Sequence, residues 1–153
     1  MRLNYIAIKT NPTTLVVHCS DPRFQLAFNC FLTNELDAVR GQIVPIVVAG
    51  GPASLANPMM AKEKEFLSNQ IIFFLEHFPS IKLVVLINHE DCGFYRKIPN
   101  PTGRKNRERD DALIAAQTVS DRIASEGIED VEVAAFYAEF ANIDKSEITF
   151  KKM

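Results

Sequence analysis

The run "IKLVVLIN" (residues 81–88) is apolar at nearly every position, and nothing else in the chain constrains the fold as strongly. A strand with one wet face alternates apolar and polar residues, so a run without alternation has to be covered on both faces. "TLVVHC" (14–19) and "VEVAAFY" (131–137) read the same way. "QIVPIVVAGG" (42–51) reads as a further strand ending in a glycine turn, with Pro45 withholding one ladder donor, and "EITF" (147–150) as an edge strand. Helical segments lie between them. Asp21 and Pro22 open one over 23–36. "KEKEFLSNQIIFFLEHF" (62–78) is stopped by Pro79, and 106–125 sets Leu113, Ala116, Val119 and Ile123 on one face. The alternation predicts a single α/β domain over 1–153, with a mostly parallel central β-sheet flanked by helices on both faces.

In such sheets ligands bind beyond the carboxyl ends of the strands, near a switch in strand order. Cys19 closes the first strand and His89 follows the third, so both polar clusters of the sequence fall there. "VVHCSDPRFQ" (16–25) carries Cys19, Asp21 and Arg23 at alternating positions, and "VVLINHEDCG" (84–93) carries His89 and Cys92. Two sulfurs and one imidazole nitrogen suit zinc. Three protein ligands leave a position for water, whose pKa zinc lowers towards neutrality. Asp21 is placed to accept a hydrogen bond from that water or to take the fourth position itself. Arg23 can hold the carboxylate off the metal through a paired hydrogen bond. The blander alternatives are two buried thiols and an Asp that caps a helix and pairs with Arg.

Charge narrows the partners. Lys and Arg number 17 against 19 Asp and Glu, a net charge of −2, which makes no field to gather nucleic acid or an anionic membrane. "GRKNRER" (103–109) runs straight into Asp110 and Asp111 and reads as a solvated loop and helix start. No apolar run approaches a membrane span and no secretory signal opens the chain. Three cysteines without such a signal point to a reducing, cytoplasmic setting. Cys30, among Phe28, Phe31 and Leu32, reads as core, and His18 and His77 as structural. The helix carrying "QIIFFLEHF" is apolar almost all round and has two sides to bury, one against the sheet and the other against a partner subunit or covering loops.

Cys19-x-Asp21-x-Arg23 together with His89-x-x-Cys92-Gly93 resembles the signature of the β-class carbonic anhydrases. "IVVAGGPASL" resembles the segment between those motifs and "VEVAAFYAEF" the last core strand, so the likeness spans roughly residues 14–140. The resemblance implies a dimer or higher homo-oligomer with zinc on Cys19, His89 and Cys92. It also implies carbonate dehydratase (lyase) activity: reversible hydration of carbon dioxide to bicarbonate by zinc-bound hydroxide, with Asp21 orienting it and Arg23 fixing Asp21. In the family the Asp can also bind the metal and close the site.

The sequence departs from the family pattern at several positions. Val47-Val48 stand where the family has Arg-Asn, Asn88 where it has Gly, Glu90 where it has Thr, and no glutamine precedes Cys19. The reshaped pocket leaves two alternatives to carbon dioxide hydration. One is hydrolysis of carbon disulfide or carbonyl sulfide at the same site, the other a non-catalytic zinc-binding relative.

Overall fold

The computed structural model describes residues 3–36, 42–99 and 103–153. Among them the chain forms β1 (Thr14–Cys19), α1 (Gln25–Asn34), β2 (Ile43–Val48), a short α2 (Ala53–Ala56), α3 (Ala61–His77), β3 (Leu83–His89), α4 (Arg104–Ser125), β4 (Glu132–Phe140) and β5 (Ile148–Lys152). Single 3-10 turns at Pro58–Met60 and Gly93–Lys97 join them. The strands make one sheet in the order β2-β1-β3-β4-β5, parallel except for β5. The fold is thus the expected α/β arrangement.

Neighbouring residues along a strand point to opposite faces, and here both faces are dry. Leu15 and Val17 of β1 and Val84 and Leu86 of β3 pack under α3 and α4, against Leu67, Ile71, Leu75, Ala115, Val119 and Ile123. Val16, Val85 and Ile87 face the other way, under Phe28, Phe31 and Leu32 of α1. Phe31 also stacks on Phe150 of β5 with ring centroids 4.1 Å apart. Pro45 causes no conflict because β2 is an edge strand, bonded only to β1, and its missing donor faces no neighbour. No helix among the described residues is long and apolar enough to cross a membrane.

Three local readings are corrected. The buried face of α4 carries Glu108, Asp111, Ala112, Ala115, Val119 and Ile123, while Leu113 is 49% exposed. The helix is rotated because two acidic residues of the supposedly solvated cluster are drawn inward to hydroxyl and amide partners. Cys30 is exposed, since α1 turns Phe28, Phe31 and Leu32 to the sheet instead. Helix α1 starts only at Gln25, and Asp21 does not cap it, because its Oδ1 accepts the Arg23 backbone N–H at 3.0 Å.

Glu139 on β4 pairs with Lys105 of α4 at 3.1 Å and with Lys151 of β5. Hydrogen bonds from these two amines, Lys151 first, hold its carboxyl below the ordinary glutamate value of 4.5. A carboxylate with a depressed folded-state pKa adds stability above the unfolded value and loses it as pH falls through the folded one. Glu139→Gln is therefore expected to flatten the acid limb of the stability curve below pH 4.5, read by urea unfolding at a series of pH values. An acid limb identical to that of the unaltered protein would show that the pair does not act this way.

Candidate metal centre

The chain leaves β1 to one side for β2 and returns to the other side for β3, so β1 and β3 are adjacent strands between which the order switches. Their parallel register pairs His18 with Ile87, which sets Cys19 and His89 side by side at the carboxyl ends. The glycine turn after β2 folds over the same ends. Gly50 and Gly51 have φ of +80° and +53°, and a Cβ on Gly51 would lie 2.9 Å from the Cys19 backbone nitrogen. Only glycine allows that approach.

The sulfurs of Cys19 and Cys92 and a ring nitrogen of His89 lie within 4.8 Å of one another, and the three residues are 6%, 2% and 1% exposed. The sulfurs are 3.9 Å apart and remain free thiols. His89 Nδ1 lies 2.8 Å from the Glu90 carbonyl, a contact that makes Nδ1 the protonated nitrogen. Nε2 is then left as a lone pair, buried and without a hydrogen-bond partner. An orphaned acceptor beside two thiols is what a metal ion would satisfy, and a set of two sulfurs and one nitrogen fits zinc. The Phe24 ring covers the imidazole at 4.2 Å. A hydrogen bond from Cys92 favours the Cys19 thiolate against its burial, while that same thiolate and burial push Cys92 up.

Asp21 is not one of the three donors; it stands on the solvent side, with its side chain 14% exposed. Arg23 grips it through Nε at 3.1 and 3.2 Å and through a second guanidinium nitrogen at 2.7 Å. Those hydrogen bonds hold the Asp21 carboxyl below its usual range. The same guanidinium reaches across to Asp91, bonding its Oδ2 and its carbonyl, both at 3.0 Å. Asp91 also takes Arg104 at 2.6 Å. Of the five residues read from the sequence as site residues, Cys19, His89 and Cys92 form one cluster, and Asp21 and Arg23 are tied to the His89–Cys92 turn through Asp91.

The sequence reading missed the support beneath them. Asp91 sits at φ +58° inside the His-x-x-Cys turn and ties both motifs together through Arg23. Behind the turn lie Asn88, Tyr95, Glu108 and Asp111, at 0–2% exposure. Asn88 Nδ2 donates to the Tyr95 hydroxyl at 3.1 Å, which donates to Asp111 at 3.0 Å. The two departures beside His89 have partners of their own: Asn88 in this network, and Glu90, whose Oε2 accepts the Phe140 N–H at 3.0 Å. A signal existed for the acidic pair, because Glu108 and Asp111 extend the stripe of 112, 115, 119 and 123 one turn towards the N-terminus.

No protein-family model and no curated protein matches the sequence. Solved structures do match. The β-carbonic anhydrase CafA of the fungal pathogen Aspergillus fumigatus is 15% identical, over 94% of this chain and 76% of that one, with a TM-score of 0.54. A mutant of the β-carbonic anhydrase CafD from the same fungus is 11% identical, over 95% and 91%, with a TM-score of 0.53. These identities carry the backbone arrangement and not the chemistry. The chain thus shares the fold of these β-carbonic anhydrases.

Proposed function

We propose that the protein catalyses the zinc-dependent, reversible hydration of carbon dioxide to bicarbonate. The observation that carries this reading is the orphaned Nε2 of His89 beside the Cys19 and Cys92 sulfurs, with the Asp21 carboxylate, two residues from Cys19, held ionised by Arg23. Cys19, His89 and Cys92 would hold the ion. Zinc, when bound, brings the pKa of water towards neutrality and so supplies hydroxide at physiological pH.

The rest of the work belongs to the chain. The Asp21 carboxylate, charged at neutral pH, would accept a hydrogen bond from an attacking hydroxide and orient it. Arg23 occupies both Asp21 oxygens and so would hold the carboxylate back from a metal ion on the three donors. The Glu90 carbonyl fixes the His89 tautomer. Phe24, with no exposure, excludes water from the buried side of the imidazole. We place the reaction in the cytoplasm, where thiols stay reduced and available to the metal, and in a homo-oligomer, for which the exposed Phe66 and Phe73 of α3 supply apolar surface.

Stopped-flow hydration of carbon dioxide by the zinc-loaded protein tests the reading. Asp21→Ala is expected to keep its zinc and lose about a hundredfold in rate, the usual worth of a positioned acid–base group. Zinc bound with no hydration above buffer would reject the assignment and move the test to carbonyl sulfide and carbon disulfide. An unaltered rate in the variant would remove Asp21 from the mechanism.

A further inference from the structure

We propose that Glu108 is the positioning residue for Cys92, fixing the His-x-x-Cys turn from behind in the shape that holds the metal; this rests on the metal-centre reading above. Glu108 is 1% exposed although it comes from the most charged stretch of the chain. Burying a carboxylate is costly unless its oxygens are occupied. Both are. Oε1 accepts the Cys92 backbone N–H at 3.0 Å, and Oε2 accepts the Tyr137 hydroxyl at 3.1 Å. The backbone carbonyl of the same residue accepts Asn88 Nδ2 at 2.8 Å. Asn88 precedes His89, so a single residue of α4 grips the turn at both ends, at Asn88 and at Cys92.

The turn needs such a grip. Asp91 lies in the left-handed region, which aspartate tolerates better than most residues with a Cβ but still at a cost that its surroundings offset. Arg23 and Arg104 pull on Asp91 from the solvent side, and nothing in those contacts sets the direction of Cys92. An apolar side chain at 108 would fill the space at no desolvation cost but would leave the Cys92 N–H buried and unpaired. The carboxylate thus makes sense through what it accepts. Its removal lets the turn relax and carries the Cys92 sulfur away from His89 Nε2.

Zinc affinity, measured by competition with a chromophoric chelator, and the thiolate-to-metal bands of the cobalt(II)-loaded protein test this. Glu108→Leu is expected to lose about 10–100-fold in zinc affinity, the range for losing an outer partner of a ligand, with an altered cobalt spectrum. Glu108→Gln keeps an acceptor for the N–H and is expected to restore both. Tyr137→Phe strips the partner from Oε2 alone and is expected to lower stability while leaving affinity and spectrum unchanged. A folded Glu108→Leu with unchanged affinity and spectrum overturns the proposal, as does a Tyr137→Phe that weakens zinc equally. Should Glu108→Leu not fold, Glu108→Asp decides the matter: it keeps charge and withdraws the acceptor, and unchanged affinity there overturns the proposal too. Failure of the unaltered protein to bind zinc at all would instead remove the metal reading, and this inference with it.

Discussion

Cys92→Ser is expected to release zinc while keeping the fold. Zinc bound to a small protein site contributes about 10–16 kcal/mol. Shared over three or four donors, that is about 3–5 kcal/mol each, or roughly a hundred- to several-thousandfold in affinity per ligand. Serine is nearly isosteric with cysteine, so Cys92, at 2% exposure, leaves no sizeable cavity behind. Its backbone N–H keeps the Glu108 bond. The thermal transition of the metal-free variant should therefore lie close to that of the metal-free parent, while metal content after dialysis drops towards zero. Cys30→Ser is the matched control. Cys30 is exposed and far from the cluster in role, and its replacement should change neither quantity. If the Cys92→Ser protein kept a full equivalent of zinc, the ligand set would be wrong, whatever the hydration rate.

The second large effect is on the backbone. Gly51→Ala is expected to cost about 2–5 kcal/mol, which combines roughly 1–2 kcal/mol for a left-handed alanine with about 1–3 kcal/mol for overpacking. The neighbours of the added Cβ are the Cys19 nitrogen at 2.9 Å, the His18 carbonyl carbon at 3.1 Å and the Ile87 oxygen at 3.2 Å. All are backbone atoms of two central strands, and they cannot swing aside as a side-chain tip does. For a domain of this length the cost corresponds to a fall in Tm of roughly 5–15 °C. Because Cys19 is one of the atoms displaced, zinc affinity should fall with stability. Gly127, just past α4, has φ +69° with nothing near its Cβ position, so Gly127→Ala should show only the conformational part, roughly 1–2 kcal/mol, and keep its zinc. Equal losses in the two variants would mean that close approach at Gly51 does not matter. Urea unfolding and chelator competition on both proteins read the difference.

The site was legible where its residues are short-range neighbours. Cys19, Asp21 and Arg23 share one turn, His89 and Cys92 another, and each turn follows a run whose lack of alternation marks it as a buried strand. Parallel strands put such turns at one edge of the sheet, so the pairing of the two motifs followed from pattern and chemistry together. Less of the support was readable. Asp91 lies two residues from His89, yet its bonds to Arg23 and Arg104 span 68 and 13 residues, and nothing local announces them. Charge misled for the same reason. "RKNRERDD" looks wet when its neighbours in sequence are counted, but Glu108 and Asp111 find hydrogen-bond donors in Tyr137, Tyr95 and the Cys92 amide.

What the sequence determined by itself, then, is what periodicity and residue chemistry encode locally. It determined the strands dry on both faces, the helices between them, the α/β class, and the three donors and the Asp–Arg pair at strand ends. The tertiary structure alone decided the strand order, which makes β1 and β3 adjacent across the switch, and the rotation of α4 that buries two carboxylates and exposes Leu113. It also decided the close seat of Gly51 on Cys19. The division has one physical cause. Burial of an apolar stripe is favourable against almost any apolar surface, so its pattern suffices. Burial of a polar group is favourable only against particular partners at hydrogen-bond distance, and those are chosen by the packing of distant segments.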